Sequence, residues 1–197
     1  MTNVLYIDCC IRGEESRTRK LAEAFLAALS RRKDLSIERL TLMDEPLIPF
    51  RNGFFWQRER LIEAGELNHP RFRYAHQFRQ ADRVAVAAPF WDLSVPALLK
   101  VYLENVNVQG ITFDCDDQNG CFGTCKAEKM LFLTTRGGAM EGDPLDNGSK
   151  YLRDMAAFFG IPRFDCIAAD GLDLGLEPVE AILSRAIARA EELAKTF

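Results

Sequence analysis

Three short stretches carry residue types whose spacing suits chemistry. Cys9 to Thr18 (CCIRGEESRT) sets Ser16 and Thr18 at the head of a segment with helical spacing. Hydroxyls, unpaired backbone N–H groups and the positive end of a helix dipole together suit a phosphate there. Arg12 and Arg17 add positive charge beside them. The stretch has only one glycine, Gly13, so it is neither the GxGxxG turn of a dinucleotide fold nor a GxxxxGKS/T phosphate loop. Read alone, Ser16 also fits a plain helix cap. Pro89 to Ser94 (PFWDLS) puts two aromatics and an acid after a buried strand, an apolar platform with a polar edge. Thr134 to Gly138 (TTRGG) ends in paired glycines, which let a backbone approach a ligand closely and present bare N–H groups. By themselves Gly137 and Gly138 also suit an ordinary turn.

Other reactive side chains lack a matching pattern. Cys115, Cys121 and Cys125 are separated by five and then three residues, without the C-x2-C pairs that bring two thiolates onto one ion. The expectation is no metal, and hairpin thiols open to oxidation. His69 and His76 have no Cys or Glu at ligand spacing and follow no strand, which disfavours a Cys-His or Ser-His-Asp hydrolase. Phe50, Phe54, Phe55, Trp56, Phe72, Tyr74 and Phe78 fit either the inner faces of extra helices or a roof over a ligand, within one subunit or across a dimer.

The elements that must position these stretches alternate between strand and helix. Asn3 to Asp8 is a short apolar run, and Leu21, Phe25, Ala28 and Leu29 then recur at helical spacing. Leu35 to Leu42 alternates like a strand near a sheet edge, whereas Arg83 to Ala88 is continuously small and apolar, as a parallel strand covered on both faces should be. Ser94 caps a predicted helix with Pro96 in its first turn, running to Val106. Lys129 to Thr135 and Phe164 to Ala169 read as strands, Tyr151 to Phe159 as a helix between them, and Pro178 opens a final helix. Five strands with helical crossovers predict an open parallel sheet with helices on both faces. Ligands bind such sheets at the edge where the strands end, and all three stretches follow strands. Segments at about 50–80 and 110–126 are longer than usual connections and are treated as insertions in one domain covering 1–197.

Composition narrows the function. With 197 residues, 48% apolar and 27% charged, the chain is an ordinary globular protein and not a disordered or repetitive one. Lys and Arg total 25 against 29 Asp and Glu, a net charge of -4, so there is no basic field for nucleic acid. Met1 to Asp8 lacks a basic leader region, and no run approaches the ~18 apolar residues of a membrane span. A cytoplasmic protein with no membrane partner is expected, its six cysteines as thiols and not a disulfide framework.

Together, a phosphate-type loop, an aromatic loop and a Gly-Gly loop describe a site for flavin mononucleotide (FMN). CCIRGEESRT, APFWDLSVPALLKVYLENV, GITFD and TTRGG, in this order and spacing, resemble the FMN-dependent NAD(P)H quinone oxidoreductase and azoreductase family, from Val4 to about Gly171. The resemblance implies a flavodoxin-like α/β fold, with a five-stranded parallel sheet in the order 2-1-3-4-5. It places Ser16, Arg17 and Thr18, with Cys10 before them, at the FMN phosphate. Pro89, Phe90, Trp91, Asp92 and Leu93 fall where the family lines the isoalloxazine ring, and Thr135, Arg136, Gly137 and Gly138 where it meets the pyrimidine side. Cys9 and Cys10 stand where members often have serine, and Asp92 where asparagine is common. The implied enzyme takes a hydride from NADH or NADPH at flavin N5 and reduces a quinone-like or azo-like aromatic, with no catalytic side chain. Backbone N–H groups of Gly137 and Gly138 would stabilise charge near N1 and O2. The resemblance also implies a homodimer paired through the helix from Ser94 to Val106. The rivals are a flavodoxin-type electron carrier without nicotinamide turnover, and a chain on this fold that has lost FMN and acts as an interaction protein.

Overall fold

The computed structural model describes residues 1–118 and 120–197. In chain order the elements are β1 (Thr2–Asp8), α1 (Arg17–Leu29), β2 (Leu35–Thr41), α2 (Asn52–Glu63), α3 (Arg73–Gln80), β3 (Arg83–Ala87) and α4 (Ala97–Val106). A hairpin of β4 (Phe113–Asp116) and β5 (Gly120–Gly123) follows, then β6 (Lys129–Thr135), α5 (Asn147–Phe158), β7 (Arg163–Ala169) and α6 (Val179–Ala194). The main sheet has the order β2-β1-β3-β6-β7 with every pair parallel, which is the expected 2-1-3-4-5 once the hairpin strands are set aside.

The central strands are apolar on both faces because both faces are covered. Val4, Tyr6, Ala85, Leu131 and Ile167 point to the side of α1 and α6, while Leu5, Ile7, Val84, Met130 and Phe132 meet α3, α4 and α5. α1 buries the stripe Thr18, Leu21, Ala22, Phe25, Leu26 and Leu29. α5 starts four residues before the predicted Tyr151, because Asp146 caps it by accepting from Ser149 N at 3.0 Å. α4 starts at Ala97, and Ser94 belongs to the preceding turn instead of capping it.

The aromatic stretch is only partly core. Phe72, Tyr74 and Phe78 are buried, whereas α2 has no buried residue and leaves Trp56 61% exposed. The second insertion is a hairpin whose register sets Cys115 opposite Cys121, with Cα atoms 4.0 Å apart, and the two form a disulfide. This corrects the expectation of six free thiols. Spacing alone speaks to metal ligation, whereas what matters is that antiparallel pairing of β4 and β5 brings these positions face to face. Cys9, Cys10, Cys125 and Cys166 remain thiols.

The hairpin lies with backbone against backbone on the α5–β7 connection. A Cβ on Gly123 would stand 1.9 Å from the Phe159 carbonyl carbon and 2.0 Å from Gly160 N, neither of which can rotate away. Gly123→Ala is expected to cost about 2 to 3 kcal/mol, the range for overpacking a tight contact, read as a lower urea midpoint. An unchanged midpoint would show that the hairpin does not need this seat.

Candidate active site

Loops after β1, β3, β6 and β7 meet at one edge of the sheet. After β1, Cys9 N donates to Ala87 O at 2.8 Å and Cys10 N to Asp8 Oδ1 at 2.8 Å, so both cysteines turn inward. Each is fully buried. Burial, reinforced by the charge of Asp8, pushes the Cys9 thiol up to about 12 and Cys10 upward as well. Both stay protonated at neutral pH and are weak S–H donors, not nucleophiles.

The chain then makes a 3₁₀ turn at Gly13–Glu15 and enters α1. Ser16 is the N-cap, its Oγ accepting from Arg19 N at 3.2 Å. Capping uses the oxygen as acceptor, so the hydroxyl proton can still be given to an anion. The N–H groups of Arg17 and Thr18 occupy the first turn, where the helix itself supplies no acceptor. The side chain of Thr18 is buried and shares a 2.6 Å hydrogen bond with Thr135 Oγ1.

After β3, Trp91 and Ser94 exchange backbone hydrogen bonds (3.1 and 2.8 Å) around Asp92 and Leu93, whose φ values are +50° and +61°. Two successive positive φ values are what a type I′ turn requires, usually met by Asn and Gly. Leu in that conformation is strained, and strain of this kind persists where surroundings impose it. The start of α5 imposes it here. Asn147 N donates to Leu93 O at 3.1 Å, and a Cβ on Gly148 would lie 3.1 Å from Ser94 O. The turn lifts Trp91 (40% exposed) and Leu93 (45% exposed) to the surface beside half-buried Phe90.

After β6, Thr135 O accepts from Phe90 N at 3.2 Å, which joins the second loop to the third. The Arg136 side chain is 3% exposed. Its Nη2 reaches Asp146 Oδ2 at 2.6 Å and Ser149 Oγ at 2.5 Å, and its Nη1 reaches both Asp170 oxygens at 3.3 Å. Its Nε is buried without a partner. Gly137 and Gly138 do not adopt positive φ, so backbone conformation does not demand glycine at either position. A Cβ on Gly137 would come within 2.5 Å of Asp173 Oδ2.

The resulting cleft is lined by Ser16, Arg17, Thr18, Pro89, Phe90, Trp91, Thr135, Arg136 and Gly137 of the predicted set. Cys10, Asp92, Leu93 and Gly138 lie outside that lining, Cys10 being buried beneath it. Arg12, Leu172 and Asp173 line it too. Leu172 and Asp173 were missed, although their signal was present: GLDLG follows the last strand as TTRGG follows β6. The donor set fits FMN. A capped helix head with free N–H groups, a hydroxyl and an arginine suits a phosphate, and Phe90 with Trp91 offers a flat apolar surface next to a bare peptide at Gly137.

These features define a flavin-type cleft on a doubly wound sheet, and the family follows. Residues 2–194 match the family described as having the flavodoxin-like fold, and the chain belongs to it. It is 36% identical over 199 residues to the FMN-dependent NADH:quinone oxidoreductase of Clostridium beijerinckii, with all of both chains covered. It is 35% identical over 210 residues to FMN-dependent NADH:quinone oxidoreductase 2 of Clostridium acetobutylicum, again with both covered in full. Among solved structures, an azoreductase from Bacillus anthracis aligns over all of both chains with a TM-score of 0.89 at 26% identity.

Arg136 is the structural centre of the third loop. Replacing it by Met leaves Asp146 and Asp170, only 13% and 19% exposed, facing each other without their cation. Arg136→Met is expected to lower stability by roughly 3 kcal/mol, as breaking a buried pair does. Chemical denaturation of the apoprotein measures this independently of any ligand. A loss below about 1 kcal/mol would mean that the network is dispensable.

Proposed function

We propose that this chain is an FMN-dependent oxidoreductase that passes a hydride from NADH or NADPH to a quinone-like or azo-like aromatic. The observation that carries this reading is the convergence of an anion-binding helix head, a strained aromatic turn and a bare glycine peptide on one cleft. The names of the full-length relatives from both Clostridium species support FMN and NADH, and that of the Bacillus anthracis structure supports an azo substrate.

Bound FMN supplies the hydride chemistry, and the protein supplies position. Ser16, Arg17 and the first-turn N–H groups of α1 fix the phosphate end. Phe90 and Trp91 support the ring, with Asp92 and Leu93 shaping the turn that presents them. The loop of Thr135, Arg136, Gly137 and Gly138 offers backbone N–H groups where negative charge develops. Cys10 underlies the phosphate site as a protonated thiol.

The visible spectrum of the freshly purified protein tests the cofactor, and stopped-flow bleaching by NADH separates a nicotinamide oxidoreductase from a single-electron carrier. Ser16→Ala should weaken FMN binding roughly 10- to 150-fold, the value of a hydrogen bond to a charged group. It should also cost about 1 kcal/mol of apoprotein stability through the lost cap. Stability loss with unchanged FMN affinity would leave Ser16 a cap alone.

The same reading includes a cytoplasmic homodimer. Among the described residues no helix is long and apolar enough to cross a membrane. A nicotinamide donor and four free thiols favour the cytoplasm, with the hairpin disulfide as the one contrary feature. Half-buried Leu98 and Val101 on α4, and the aromatic α2 with no buried residue, are surfaces that a second copy would cover. Light scattering should report twice 22.3 kDa. A fully active monomer at micromolar concentration would refute the dimer.

A further inference from the structure

Every arginine at the head of α1 already faces an acid. Arg12 Nη2 lies 3.5 Å from Glu15 Oε2 and Arg19 Nη1 lies 3.1 Å from Glu14 Oε1, both pairs local to the turn. The partner of Arg17 comes from the opposite wall of the cleft: its Nη1 donates to Asp173 Oδ1 at 2.7 Å. Asp173 is held there by backbone. Gly171 N donates to Gly138 O at 3.0 Å, Leu172 N to Arg136 O at 3.1 Å and Asp173 N to Gly137 O at 3.0 Å, so this segment runs beside the Gly-Gly loop. The carboxylate then folds over Gly137, in the space that any larger residue would need.

The first residue of a helix is a poor place for a cation, because the dipole is positive there. An anion beside Arg17 relieves that repulsion, and Asp173 supplies one. A phosphate monoester would do the same with more charge and more acceptor oxygens. Arg17 and Asp173 are 38% and 67% exposed, so their pair is weakly stabilising and opens at small cost.

We infer that Asp173 is a resident anion that competes with the phosphate of FMN for Arg17. The inference rests on the proposed function and adds regulation of that site. Entry of the phosphate exchanges the Arg17–Asp173 pair for an Arg17–phosphate pair, and the carboxylate recaptures Arg17 as the flavin leaves. FMN affinity is thereby set below what the donor set alone would reach. Riboflavin, which has no phosphate, does not engage the exchange.

The test titrates apoprotein with FMN and with riboflavin, following flavin fluorescence, for the wild type, Asp173→Asn, Arg17→Gln and the double variant. Asp173→Asn should tighten FMN binding about two- to fivefold, the worth of an exposed pair, and leave riboflavin unchanged. In the Arg17→Gln background the same substitution should do nothing. Unchanged or weaker FMN binding in Asp173→Asn, equal tightening for riboflavin, or a gain that persists without Arg17 would each overturn the inference alone. A wild-type apoprotein that binds neither flavin would overturn the functional reading, and the inference with it.

Discussion

The hydrogen bond between Thr18 and Thr135, 2.6 Å long and out of solvent, is the tie on which the cleft depends. A parallel sheet sends its loops to one edge but gives them no reason to hold a fixed spacing there. Thr135 provides that reason twice. Its hydroxyl pairs with the second residue of α1, and its carbonyl accepts from Phe90 N, so the first, second and third loops meet at one residue. Such a bond contributes only about 1 kcal/mol net, yet leaving either buried hydroxyl unpaired costs up to about 3 kcal/mol. Its effect is therefore chiefly on geometry. The helix head cannot drift from the glycine loop without exposing that penalty.

Two features around the tie run against ordinary stability, and each is held by a neighbour far away in sequence. Asp92 and Leu93 adopt positive φ in a turn that the start of α5 packs against and hydrogen-bonds. Arg136 is buried because Asp146, at the cap of α5, and Asp170, at the end of β7, neutralise it from two sides. The same residues thus serve two purposes: Asp146 caps a helix and pairs Arg136, while Asp170 pairs Arg136 and accepts from Met140 N and Glu141 N. α5 is the common brace for the aromatic turn and the glycine loop.

Much of this was legible in the sequence, and the boundary of legibility has a physical cause. β1, β3 and β6 stand out because strands covered on both faces must be continuously apolar, and the loops that matter are those that follow such strands. Local chemistry was likewise visible at Ser16, whose side chain caps α1. What periodicity does not encode is which distant residue a polar side chain meets. The hydroxyl of Thr18 pairs with one 117 positions away. The guanidinium of Arg136 is likewise engaged by acids 10 and 34 positions on, which no local pattern announces. The Cys115–Cys121 bridge was obscured for a different reason, since it follows from hairpin register and not from spacing alone.

Charge at the helix head decides how the cleft can recognise its ligand. Arg12, Arg17 and Arg19 face Glu15, Asp173 and Glu14, so positive and negative side chains there balance one for one. The whole chain carries a net charge of -4, which adds no attraction for an anion at a distance. A phosphate is therefore not drawn in by a field. Recognition of the proposed phosphate would fall to contact groups, the N–H groups of α1 and the Ser16 hydroxyl, which have fixed directions and cannot be satisfied by a diffuse counterion. Of the three arginines, Arg17 alone takes its acid from across the cleft, so its ion pair, unlike the two local ones, bridges the two walls.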